Sequence, residues 1–223
     1  RIKCVAASET DFYASSFDGG LYRSRDAGSS WSTSGDFPSG LIVNALCATG
    51  SGSYGGTGEG IYVSRDSGET WDLHNNGISD FQPGIFSLAL NGTEILAGGA
   101  DAAYISKDSG ASWNVLINSF PSYSSEDVQS LAARGDTICV GINHNLFRST
   151  DEGASWTEIG EVMGITWLNA ITLSGNKILA GTKNGLFVSA DNGSNWSTVE
   201  DGLAGKNISV ESFAVSGTTL YAV

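Results

Sequence analysis

Few of the residues that announce chemistry or location are present in this sequence. Its 223 residues include 3 cysteines, 3 prolines, 2 histidines and 1 methionine. Cys4, Cys47 and Cys139 are odd in number and form no Cys-x-x-Cys. That pattern indicates neither a disulfide frame nor a cysteine zinc site, so they read as small buried apolar residues. So little proline excludes a proline-rich linker. Positive charge is also scarce, with 11 Lys and Arg against 24 Asp and Glu, a net charge of −13. A field of that sign repels phosphate backbones and anionic lipid, and no basic cluster offsets it locally, so no nucleic-acid partner is expected. No apolar run reaches membrane-spanning length, and no membrane insertion is expected.

Glycine and repetition are abundant instead. The 30 glycines suit a chain full of tight turns. The stretch Ser64-Arg65-Asp66-Ser67-Gly68-Glu69-Thr70-Trp71 reads Ser-x-Asp-x-Gly-x-x-Trp and occurs five times. The other copies run Ser24 to Trp31, Ser106 to Trp113, Ser149 to Trp156 and Ser189 to Trp196. Their aspartates, Asp26, Asp66, Asp108, Asp151 and Asp191, are 40, 42, 43 and 40 residues apart. A period in that range marks a stacked or radial repeat architecture.

Each unit has one grammar. In the fifth, Leu168 to Leu173 alternates like a half-buried strand, and Ser174-Gly175-Asn176 turns. Lys177 to Thr182 is a second strand, Lys183-Asn184-Gly185 a hairpin turn, and Leu186 to Ser189 a third strand. The repeated turn follows, and a fourth strand opens at Trp196. Four short antiparallel strands per unit of this length predict a β-propeller blade. The expected blades are about 1–40, 41–82, 83–125, 126–165 and 166–207, with the inner hairpin of a sixth at 208–223, in one propeller domain or part of one. Ser124 to Arg134 resembles a capped helix locally, but the repeat assigns Val128 to Ala133 to a first strand. A hairpin alone leaves an open sheet edge, so remaining blades from the parent chain or another chain are expected to cover it.

The repeated turn has a physical reading of its own. Asp folds back onto its following backbone N–H groups, Gly supplies an unusual backbone angle, and Trp offers an apolar plate between sheets. Five identical devices suit scaffolding, whereas a catalytic site is usually singular.

This turn resembles the Asp-box, or bacterial neuraminidase repeat, of sialidase-like, sortilin-like and photosystem II assembly-factor-like propellers. The resemblance implies a β-propeller in which Asp26, Asp66, Asp108, Asp151 and Asp191, with Trp31, Trp71, Trp113, Trp156 and Trp196, are structural. It does not extend to a sialidase site. The Phe/Tyr-Arg-Ile-Pro segment is missing, and two of only six arginines, Arg25 and Arg65, lie inside the boxes.

Loops on a rigid scaffold carry function. The turns between second and third strands hold Glu59, Asp101, His144 and Asn184, with Asp18 near the same level. Glu59 and Asp101 are candidate acids for glycoside hydrolysis, and with His144 they are candidate metal ligands. The same residues also fit as ordinary polar hairpin tips, and no metal or cofactor is assigned. Trp167, with Tyr123 and other aromatics of the blade connections, is a candidate ligand platform or a seam plug. The sequence thus predicts an extracytoplasmic, non-enzymatic scaffold offering one face to a protein or glycan, with a glycoside hydrolase as the alternative.

Overall fold

The computed structural model describes residues 1–8, 11–79, 83–100, 102–118, 127–142, 145–161, 168–199, 208–216 and 219–223. The chain forms two compact units, Arg1–Ser119 and Phe120–Val223. Among the described residues there is no helix, hence none long and apolar enough to cross a membrane.

The first unit holds three antiparallel sheets. The first is β1 (Ile2–Ala7), β2 (Phe12–Ser16), β3 (Leu21–Ser24) and β4 (Ser32–Thr33). The second is β5 (Val43–Thr49), β6 (Gly52–Thr57), β7 (Gly60–Ser64) and β8 (Asp72–Leu73). The third is β9 (Ile85–Asn91), β10 (Glu94–Gly99), β11 (Ala103–Ser106) and β12 (Asn114–Ile117). The second unit has two more, β13 (Val128–Arg134) to β16 (Thr157–Glu161) through β14 (Thr137–Ile142) and β15 (Asn145–Ser149). The other is β17 (Leu168–Ser174), β18 (Lys177–Thr182), β19 (Gly185–Ser189) and β20 (Ser197–Thr198). A hairpin of β21 (Phe213–Ser216) and β22 (Thr219–Ala222) follows. Every sheet runs in chain order, and the fold is a β-propeller of such blades. The stretch from Val128 is a strand, as the repeat requires, and its helical look is overridden by pairing with β14.

Consecutive sheets meet face to face along their first strands, β1 against β5 and β5 against β9 in the first unit, β13 against β17 and β17 against β21 in the second. The apolar alternation of the strands fills these seams. Tyr13 and Leu21 of the first sheet pack on Val43, Tyr62 and Trp71 of the second. The Tyr13 and Trp71 rings meet edge to face, centroids 5.9 Å apart. Tyr54, Ile61 and Val63 meet Ile85, Tyr104 and Trp113 in the next seam. In the second unit Cys139 and Leu146 meet Leu168, Ile171 and Phe187. Each fully buried side chain of this size contributes about 1.5–3 kcal/mol. Small residues let the sheets approach. A Cβ on Gly56 would lie 2.6 Å from Ile85 Cγ2, and one on Gly181 would lie 2.7 Å from Val210 Cγ1.

One expectation about the tryptophans needs correction. Trp71 and Trp113 are buried plates, with Nε1 donating to Ser34 Oγ (3.1 Å) and the His74 carbonyl (3.0 Å) of the preceding sheet. Trp196 reaches the Ile159 carbonyl at 3.4 Å in the same way. Trp31, by contrast, is 46% exposed and closes on its own turn, donating to the Gly28 carbonyl at 3.1 Å. Trp156 does the same with Gly153 at 3.0 Å. In these two turns the indole N–H takes a carbonyl of its own loop.

Candidate functional site

The five repeated turns share one hydrogen-bond pattern. In the second blade Ser64 Oγ donates to Asp66 Oδ1 at 2.9 Å and accepts the Gly68 N–H at 2.8 Å. Asp66 Oδ1 accepts the Thr70 N–H at 2.9 Å, and Oδ2 accepts the Thr70 hydroxyl at 2.6 Å. Ser30, Ser112, Ser155 and Asn195 take the place of Thr70 in the other turns, with side-chain bonds of 2.6, 2.5, 2.6 and 2.7 Å to their aspartates. These bonds, the side-chain donor first, hold Asp26, Asp66, Asp108, Asp151 and Asp191 each at a pKa of about 2. A carboxylate so fully engaged has no proton to give at neutral pH. The sequence reading missed this donor, although a Ser, Thr or Asn stands before every box tryptophan. It also missed a second left-handed residue. Ala27, Ser67, Ser109, Glu152 and Asn192 all have φ between 56° and 62°, just before the turn glycine. Of those five residue types only asparagine favours that conformation.

The opposite ends of these strands carry the candidate face. There Thr57 ends β6, and its Oγ1 accepts the Glu59 N–H at 3.1 Å and donates to the Gly60 carbonyl at 3.0 Å. Glu59 is exposed, and Tyr62 Oη donates to its Oε2 at 3.1 Å. Burial, and then the Glu59 carboxylate, push the Tyr62 phenol up. Asn75 clamps the turn, donating to the Glu59 carbonyl at 2.7 Å and accepting the Ile61 N–H at 3.1 Å. In the fifth blade Thr182 repeats the device for Asn184, which is exposed. Asp18 is exposed in the first blade's turn. Asp101, His144, Tyr123 and Trp167 lie outside the described residues. Among the described residues no group of three or more His, Cys, Asp or Glu is placed to hold a metal ion.

A feature of the same face went unread in the sequence. In all five blades the first strand bulges at its second position, so that Lys3, Asn44, Phe86, Gln129 and Asn169 have no partner on the neighbouring strand. At the sixth hairpin, Glu211 and Ser212 both donate to the Val223 carbonyl, at 2.6 and 3.3 Å, which is the signature of the same bulge. A bulge breaks the alternation of side chains and re-aims one of them. Here it lies beside the last residue of the second strand, next to the turns just described, as Val43 pairs with Thr57.

In the first unit Lys3 Nζ donates to Asn44 Oδ1 at 2.7 Å, and Asn44 Nδ2 donates to the Ile85 carbonyl at 2.9 Å. In the second, Asn169 Nδ2 donates to Ser209 Oγ and the Val210 carbonyl, both at 3.2 Å, and Ser209 donates to Glu211. Around Lys3, the Phe17 ring lies 5.6 Å below its ammonium and 4.9 Å from the Arg1 guanidinium. Phe86 is half-buried, and a Cβ added to Gly84 would lie 3.4 Å from its ring and 3.8 Å from the Gly58 carbonyl oxygen. It therefore lies beside the turn that carries Glu59.

No curated protein matches this sequence. Among solved structures the chain is similar to the extracellular domain of the one-component system BT4673 from B. thetaiotaomicron, at 18% identity and a TM-score of 0.77 over 100% of this chain and 31% of that one. It is similar to an ancestral GH74 enzyme, at 22% identity and a TM-score of 0.74 over 92% of this chain and 32% of that one. It is also similar to YCF48 bound to D1 peptide, at 16% identity and a TM-score of 0.72 over 99% of this chain and 74% of that one. The chain thus spans about a third of the length of the first two. At such identities the likeness speaks for the fold alone. The family model of the DUF6242 β-propeller domain matches residues 88–221, more than half of the sequence, and the chain belongs to that family.

Proposed function

We propose that the chain is a non-enzymatic, extracytoplasmic binding scaffold that offers the face of its second-to-third-strand turns to a protein or carbohydrate ligand. One observation carries this reading. The backbone bulge is identical in all five blades, yet the side chain it re-aims is Lys3, Asn44, Phe86, Gln129 or Asn169. A device fixed in geometry and varied in chemistry is suited to reading a ligand. The box residues show the reverse, fixed in chemistry at every copy, and serve architecture in this proposal. Two structures of similar fold are in keeping with it. One is an extracellular domain and another is a propeller with a bound peptide. Phe86 would stack on an apolar or sugar surface, and Lys3 keeps two donor hydrogens free of Asn44.

The test is a panel of peptides and oligosaccharides screened against the wild type, then against Lys3→Ala, Phe86→Ala and Gln129→Ala. A ligand found for the wild type should be weakened by at least one substitution without loss of thermal stability. Unchanged affinity in the triple variant would remove the bulge face from the function. Asp18 in the first unit, and Asn184 with His144, Tyr123 and Trp167 in the second, are further candidate ligand contacts in this proposal.

A second reading is favoured by one contact, the Tyr62 hydroxyl on Glu59, together with the likeness to the GH74 enzyme. Under it Glu59 and Asp101 are paired acids of a glycoside hydrolase. Release of reducing ends from a glucan panel, lost in Glu59→Gln, would replace the scaffold reading with this one.

A further inference from the structure

At the far ends of the strands, away from the bulges, the fourth and fifth blades leave a cavity of about 60 Å³ where β13 turns into β14 and β17 into β18. Leu173 and Ile178 line it, and Arg134, Lys177, Asn176 and Asn192 stand around them. Arg134 Nη1 has only a marginal bond to the Gly175 carbonyl at 3.5 Å. Lys177 is exposed and has no carboxylate partner among the described residues. Asp136 is on the same turn as Arg134 but does not line the cavity.

The equivalent seam between the second and third blades shows what is special here. By strand position, Leu90 and Ile95 stand there for Leu173 and Ile178. Around them, however, Thr49 replaces Arg134, Glu94 replaces Lys177 and Ser109 replaces Asn192. Glu94 is itself neutralised by Lys107 at 3.0 Å. The apolar floor therefore belongs to the blade, and the cations do not. Two unpaired positive charges on one small cavity repel each other, in a chain whose net charge is −13. An anion between them relieves that repulsion.

We propose that this cavity binds a carboxylate carried on a short carbon skeleton. The Arg134 guanidinium offers a planar fork that matches a carboxylate, and Lys177 adds a point charge. The Asn176 and Asn192 amides supply neutral donors, and Leu173 with Ile178 receives the carbon skeleton. The site stands apart from the bulge face, and neither depends on the other.

Two probes separate the sources of such a group. D-glucuronate represents an acidic sugar and N-acetyl-glutamate an acidic side chain, with D-glucose as the uncharged control. Side-chain amide signals of Asn176 and Asn192 are followed by NMR during titration. One charged probe at least should shift both signals, more strongly at low salt, while glucose shifts neither. Arg134→Gln with Lys177→Gln should weaken binding about tenfold. Lys107→Gln, which changes the net charge without altering a residue that lines the cavity, should leave it unchanged. No shift with either acid would overturn the proposal, as would equal weakening by Lys107→Gln.

Discussion

The Arg23 guanidinium donates to the Ser67 carbonyl at 2.8 Å, across the seam between the first two blades. Ser67 is the left-handed residue of the second blade's turn, with φ 58°. The relationship recurs, with Arg65 donating to the Ser109 carbonyl at 2.9 Å and Arg148 to that of Asn192. An arginine of one blade thus caps the strained corner of the next. The Arg23 side chain is only 11% exposed, whereas that of Arg25, which also reaches Ser67 at 3.4 Å, is 50% exposed. Arg23→Ala should cost about 1–2 kcal/mol, from a lost charge-assisted bond and lost packing of the stem. Arg25→Ala should cost less than Arg23→Ala, because its contacts to Ser67 and Glu69 are screened by water and its pairing with the buried Asp11 is long, at 3.6 Å. Urea unfolding of the two variants gives the comparison, and equal losses would contradict the capping role.

The aspartates make a prediction about acid. Each is held at about 2, below the ordinary 3.8, by bonds made only in the fold. The open chain therefore takes up protons before the fold does. Stability from these groups is complete above about pH 4 and is lost as pH falls through about 2. In Asp66 the Thr70 hydroxyl is the largest influence. Thr70→Val should move the Asp66 carboxyl up toward 3.8 and leave the other four where they are. Carbon-detected NMR titration of the side-chain carboxyls would show it, and an unmoved Asp66 would place the cause elsewhere.

Glycines of positive φ divide by what surrounds them. A Cβ on Gly77, at φ 94°, would lie 1.9 Å from the Trp113 carbonyl oxygen, whereas Gly92, at φ 62°, meets nothing within 4 Å. Gly92→Ala carries only the backbone penalty, about 1 kcal/mol. Gly77→Ala must also push back the third blade's turn, and should cost about 3 kcal/mol. Thermal melts of both variants decide this, and similar midpoints would show that the Trp113 corner yields easily.

The blades were legible because Ser-x-Asp-x-Gly-x-x-Trp recurs in register, and a global period outweighs local signals such as the helix-like stretch at Ser124 to Arg134. The corner's chemistry was half legible. Asp66 and Gly68 showed their roles by type, but Thr70 was read as a variable position, and left-handed Ser67 is an ordinary serine in sequence. The bulges were illegible for a different reason. Their strand alternation is broken by pairing geometry, and Lys3, Asn44 and Phe86 have no residue type in common. Glu59 was found from its place in the hairpin, while the Tyr62 hydroxyl on it comes from three residues away on a strand facing the seam.

The bulge positions should separate stability from recognition. Asn44 is a link between three blades, accepting from Lys3 and donating to the Ile85 carbonyl. Phe86, at the same position of the next blade, is half-buried. Asn44→Ala removes both bonds and leaves the Ile85 carbonyl without its donor, so it should cost about 1–3 kcal/mol in unfolding free energy. Phe86→Ala removes a ring that is only half-buried and should cost less stability than Asn44→Ala, while weakening any ligand of the face. Paired denaturation and binding measurements on the two variants test the division. If Phe86→Ala proved the more destabilising, its ring would be a seam plug, and the reading surface would shrink to the polar bulge residues.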